Sequence, residues 1–142
     1  MNILIGSDQS GLDLKNEVKD YLSALGYEVI DKTLLGATDF VDSTVAVTTG
    51  LINQEGELGI LFDRTGAGSF IAASKIKGVV AAEVSDEHSA KMTREHNGAR
   101  VIVMGAEIVG SDLAKACAKA FVETHYAAGR HQVRVDMLNK ML

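Results

Sequence analysis

Short apolar runs alternate with amphipathic stretches from one end of this chain to the other, which restricts it to strand-then-helix units built on a parallel sheet. Residues 2–6 (NILIG) read as a first strand. Leu12, Leu14, Val18, Leu22 and Leu25 then recur at helical spacing until Gly26 stops the helix. Residues 27–31 (YEVID) form a second strand, a polar loop runs through Asp39, and Val41 to Asn53 is predicted helical despite its β-branched residues. A third strand at 58–62 (LGILF) leads to a helix from about Gly68 to Lys75. A fourth at 78–84 (GVVAAEV) leads, through the N-cap candidates Ser85 and Asp86, to a helix ending at Arg94. Residues 99–105 (ARVIVMG) give a fifth strand, followed by a long helix from Ser111 to Tyr126 capped by its own Ser or Asp. The last segment turns at Gly129 and ends as a short helix. The expected class is therefore α/β: a doubly wound, five-stranded parallel sheet in a Rossmann-like three-layer sandwich with right-handed crossovers.

At 142 residues the chain has the length of one domain, spanning 1–142. No apolar run approaches a membrane span, and Met1 leads into NILIG without a basic segment, so neither a membrane anchor nor a secretory leader is expected. The single Cys117 rules out a disulfide framework and fits a reducing cytoplasm. A net charge of −5 argues against nucleic acid as a partner. The tail 128–142 carries Val133, Val135, Met137, Leu138 and Met141, too apolar for a free end, and is expected to pack as an arm on a partner subunit.

In open α/β sheets ligands sit beyond the carboxyl ends of the strands, which selects Ser7 to Gly11, Asp63 to Ser69 and Ser85 to His88. The second of these, DRTGAGS, runs from a buried-type strand through glycines into a helix. Gly66 and Gly68 allow a close backbone approach, and the helix start offers N–H groups to a phosphate. The run lacks the third glycine of the dinucleotide fingerprint and the GK[ST] ending of a Walker loop. Asp63 opposes an anionic ligand unless Arg64 neutralises it. Asp8 can accept hydrogen bonds from sugar hydroxyls or cap the next helix. His96 and Asn97, in TREHNGAR, occupy a predicted loop from which an imidazole can move protons near neutral pH; the plainer reading is a helix-terminal histidine. Arg130 and Arg134, four apart, would share a helix face and grip phosphate, or else sit as solvated surface charges. Cys117, flanked by alanines at core spacing, reads as a buried inert thiol.

Together IGSDQSG, EGELGILFDRTGAGSFIAASKIKGVVAAEVSDEHSA, REHNGARVIVMGAEIVG and GRHQVRVDML resemble the ribose-5-phosphate isomerase B and galactose-6-phosphate isomerase family over essentially the full chain. The resemblance is strongest to the galactose branch and implies interconversion of D-galactose 6-phosphate and D-tagatose 6-phosphate, without metal or organic cofactor. It implies that His96 opens the sugar ring with Asn97 beside it, that Arg130 and Arg134 bind phosphate, and that Gly66 and Gly68 keep the anion-binding turn. It also exposes departures. Where cysteine-type members carry the base that moves the proton between C1 and C2, this chain has Asp63. Where others carry a glutamate it has Ser69, where a histidine follows the first aspartate it has Gln9 after Asp8, and Glu107 replaces a common arginine.

These losses and retentions imply a site shared between two chains, with the missing thiol supplied by a homologous cysteine-bearing B subunit. Two alternatives stand beside this expectation. One is a homomeric isomerase using Asp63 as base, and the other a sugar-phosphate-binding subunit without catalytic groups. A nucleotide-binding module fits the fold class alone and lacks an acidic ribose-binding residue in register with a full glycine fingerprint.

Overall fold

The computed structural model describes residues Met1–Leu142. Its strands are β1 (Asn2–Ser7), β2 (Glu28–Asp31), β3 (Leu58–Asp63), β4 (Ala81–Glu83) and β5 (Val101–Gly105). The helices are α1 (Leu12–Ala24), α2 (Phe40–Ile52), α3 (Ala67–Ser74), α4 (Glu87–Asn97), α5 (Ser111–Glu123) and, after a 3₁₀ turn at Gly129–His131, α6 (Gln132–Lys140). All pairings are parallel and the sheet order is β2-β1-β3-β5-β4. The expected doubly wound sheet is present.

The strand order also assigns the helices to faces. Crossovers are right-handed, so the two that step one way along the sheet, through α1 and α4, lie on one face, and the two that step the other way, through α2 and α3, lie on the opposite face. The packing follows, with α5 between α1 and α4, and α2 against α3. Side chains alternate accordingly. Ile3, Ile5, Ile60, Phe62, Ile102 and Met104 pack with Val18, Leu22, Cys117 and Phe121, while Leu4, Leu61, Val101 and Val103 pack with Val47, Leu51, Ala73 and Val79. Covered on both sides, β3 and β5 are buried throughout, as continuous apolar strands require.

Three elements differ most from the sequence expectation. The fourth strand pairs only over Ala81–Glu83, because it is the sheet edge and has one neighbour to hold it. Helix α5 ends at Glu123, where Thr124 turns extended, and its N-cap is Gly110, so the side-chain cap expected from Ser111 or Asp112 is not made. Helix α4 does not stop at Arg94 but continues through Asn97, closed by Gly98 at φ 62° with its N–H on the Arg94 carbonyl at 3.2 Å. Asp86 caps its start, accepting the Ser89 N–H at 2.7 Å.

Candidate active site

The candidate residues fall at opposite edges of the sheet. A helix between parallel strands runs antiparallel to them, so α4 enters at the carboxyl edge after β4 and brings His96 and Asn97 back toward the amino edge before β5. Its eleven residues span about 16 Å. Asp8, Asp63, Gly66 and Gly68 remain at the carboxyl edge.

At that edge Asp8 follows β1, and its Oδ1 accepts the Ser10 hydroxyl at 2.7 Å and the Gly11 N–H at 3.1 Å, closing the turn into α1. The Gln9 amide donates to the carbonyls of Leu35 and Gly36, bracing the loop before α2. Asp63 ends β3 and is 4% exposed. Its carboxylate accepts the Gly66 N–H through one oxygen, and through the other the Ser69 N–H at 2.9 Å and the Ser69 hydroxyl at 2.7 Å. Arg64 does not neutralise it. That guanidinium reaches outward to Glu107 at 3.0 Å. Gly66 has φ 87°, a left-handed conformation that favours glycine. Gly68 lacks a side chain for a different reason, since a Cβ there would stand 2.9 Å from the Phe40 ring.

Sequence reasoning missed the charge that holds this edge together. Lys15 is fully buried, and its Nζ lies 2.8 Å from Asp31 Oδ2 and donates to the Thr33 carbonyl at 2.8 Å. Thr33 in turn accepts the Ser7 N–H through its hydroxyl at 2.8 Å, so one buried ion pair fixes the end of β1. Burial pushes the Asp31 carboxyl up, but the Lys15 ammonium, the Thr33 N–H and Lys19 outweigh it and hold the group below the ordinary carboxylate value. A signal was present: Lys15, Val18 and Leu22 share the i, i+3, i+7 stripe that packs on the sheet.

Toward the amino edge the last turn of α4 is pinned by the chain that leaves α5. The Ala127 N–H donates to the Glu95 carbonyl at 2.9 Å, and Tyr126 packs against Gly98. The Tyr126 hydroxyl donates to Gln132 at 2.8 Å, which sets the start of α6. His96 is consequently a last-turn helical residue rather than a loop residue. It is 40% exposed, 3.6 Å from Glu95 Oε2, and its ring stacks on His131 at 4.3 Å. Arg130 and Arg134 flank His131, both exposed and neither in an ion pair. The structure brings His96, His131 and the segment bearing the two arginines together. It does not bring them to the carboxyl-edge turn of the same chain.

The arrangement offers proton transfer and anion recognition at one edge and a capped glycine turn at the other. Residues 3–138 match the family described as Ribose/Galactose Isomerase. The chain is 60% identical over 141 residues to galactose-6-phosphate isomerase subunit LacA of Staphylococcus epidermidis, covering 99% of both chains. It is 59% identical to the subunit of the same name from Streptococcus equi subsp. equi, again over 99% of each. Among solved structures, ribose-5-phosphate isomerase B of Clostridium thermocellum superimposes with a TM-score of 0.95 at 37% identity, covering 99% of this chain and 97% of that one. The chain belongs to the Ribose/Galactose Isomerase family.

Proposed function

We propose that this chain is one half of a galactose-6-phosphate isomerase, giving His96, Asn97, Arg130 and Arg134 to a pocket completed by a homologous, cysteine-bearing subunit. The observation that carries the reading is the separation of the two groups of candidate residues. Acid–base and phosphate-gripping side chains at one edge cannot serve a turn at the other edge of the same sheet, but they can serve the turn of a neighbour across a subunit boundary. The names of the two relatives given above, which call each of them a subunit, agree with a protein that works in an assembly.

The outer surface supports the same reading. Helix α2 has no charged residue after Asp42, yet Val41, Val45 and Ile52 are exposed on it, as is Ile71 on α3. A helix apolar on both sides needs a second cover. The arm, residues 128–142, buries Val135 and leaves Val133, Met137, Leu138 and Met141 exposed, and Leu138 and Met141 line a groove of about 720 Å³ along the edge strand β4. Packing of the arm on the partner would cover these side chains.

In the composite pocket Arg130 and Arg134 hold the 6-phosphate, and His96 acts as general acid and base in opening the pyranose, taking the proton of the C1 hydroxyl and returning one to the ring oxygen. The partner's thiolate then removes the C2 proton and delivers a proton to C1 through a cis-enediol, with main-chain N–H groups of the partner's turn holding the enediolate oxygen. Asp8, in this chain's turn after β1, and Gly66 and Gly68, in its turn after β3, take no part in that pocket.

The test is reconstitution. The isolated chain should have little isomerase activity on galactose 6-phosphate, and mixing with the cysteine-bearing homologue should restore it. His96→Ala in the mixture should lower turnover by about 10²–10⁴-fold with substrate binding retained. Full activity of the isolated chain rejects the proposal. Unchanged ring opening by the His96→Ala mixture points instead to a subunit that only binds and stabilises.

A further inference from the structure

The turn between β3 and α3 has the shape of an anion site and already holds an anion. Both oxygens of Asp63 are engaged, one by the Gly66 N–H and the other by the N–H and hydroxyl of Ser69. These donors stand at the start of α3, where a phosphate oxygen or an enediolate would look for them. A carboxylate on which three donors converge, at 4% exposure, is also badly placed to act as a base toward a sugar carbon.

The turn is fastened in this state from below. The Ala106 and Glu107 N–H groups bind the Asp63 and Arg64 carbonyls at 2.8 and 2.9 Å. A Cβ on Gly105 would come within 2.3 Å of the Thr65 carbonyl carbon, so β5 and the turn are in direct backbone contact. Charge at the mouth is also adverse to an anion. A Glu83 carboxylate oxygen lies 3.2 Å from where a side chain on Gly66 would begin, and Arg64, the turn's own cation, is paired with Glu107.

We propose that Asp63 is an internal ligand that keeps this chain's own β3–α3 turn closed to sugar phosphates, so that an assembly with the cysteine-bearing homologue has one working pocket per pair of chains. The count of pockets rests on the two-chain reading above; the closure of the turn does not. Asp63 in this role excludes a ligand and performs no chemistry.

Titration of inorganic phosphate into ¹⁵N-labelled wild-type chain should leave the Gly66 and Ser69 amide resonances in place, whereas in Asp63→Ala both should move and saturate. Saturable movement of these amides in the wild type overturns the proposal. So does their immobility in a folded Asp63→Ala chain. A measurement that needs no variant is calorimetric titration of the reconstituted pair with galactitol 6-phosphate, an alditol with no carbonyl to react. One site per pair is expected, and two equivalent sites overturn the proposal. Failure of the two-chain reading looks different: activity would not depend on mixing or on His96, while the amide result on the isolated chain would be unaffected.

Discussion

The imidazole rings of His96 and His131 lie face to face, with centroids 4.3 Å apart and planes within 14° of parallel. The contact ties the last turn of α4 to the turn that opens the C-terminal arm. It joins the group proposed for ring opening to the segment proposed to hold phosphate.

The stack has a pH signature. His131 is held below the ordinary histidine value by partial desolvation first, and then by the positive charges of His96, Arg130 and Arg134, with Glu95 opposing them. A folded value below the unfolded one, about 6.5, means that the contact is strongest above that pH and weakens as the pH falls toward the folded midpoint. Proton NMR titration of the wild type should give a His131 midpoint below about 6.5, moving up in His96→Ala. A midpoint at or above the ordinary value contradicts the stack in solution.

Arg130 and Arg134 are exposed and without partners, so their truncation should leave stability nearly unchanged. Loss of a charge-assisted hydrogen bond to phosphate is worth about 1.5–3 kcal/mol, which corresponds to a KM for galactose 6-phosphate raised about 10- to 150-fold in the reconstituted enzyme for either Arg→Ala change. Arg134→Lys should recover only part of this, since an ammonium cannot present a two-pronged fork. Steady-state kinetics with an unaltered KM would remove these arginines from the site.

The Lys15–Asp31 pair should be costly to break from one side only. Lys15 is fully buried and the Asp31 side chain is 4% exposed, so Lys15→Ala leaves a buried carboxylate with Lys19 as its one remaining cation and the Thr33 N–H as its other donor. A loss of about 3–5 kcal/mol in urea unfolding is expected, and a smaller one for Lys15→Met with Asp31→Asn together.

Acid should act through the same pair. Because the folded Asp31 value is depressed, its contribution is present above the unfolded value near 3.9 and is lost as the pH falls through the lower folded value. Asp31→Asn should therefore flatten the fall in stability below about pH 4. An acid limb as steep as that of the wild type would show that other carboxylates set it.

Cys117 should not react in the folded protein. Its thiol is fully buried and pushed up to about 11, by burial first and then by the negative charges of Asp86 and Glu87. Iodoacetamide at pH 8 should label it only after denaturation, and rapid labelling of the native chain would show that the α5 core opens.

The layers of this protein were legible in its sequence because the periodicities that announce them are local. The strands at 2–6, 58–62 and 99–105 are read from apolar runs, and α1 from the Leu12–Leu25 spacing. Gly66 could be read as a turn glycine for the same reason. Strand order was not legible, since nothing in a strand's own residues says that β5 inserts between β3 and β4.

The site was legible as a set of residues and not as an arrangement. Lys15 looks like any polar position on an amphipathic helix until Asp31, sixteen residues away in the chain, is folded against it at 2.8 Å. Asp63 is an odd charge in a phosphate-type turn until Ser69 and Gly66 close on it. The distribution of His96 and Asp63 to opposite edges follows from the direction of α4 relative to its strands. Hydrogen bonds and side-chain spacing along a segment act over a few residues, so they can be read in order along the chain. Which edges pair, which charges are buried together and which ends of the sheet face a neighbour depend on contacts between distant segments, and these exist only once the chain has folded.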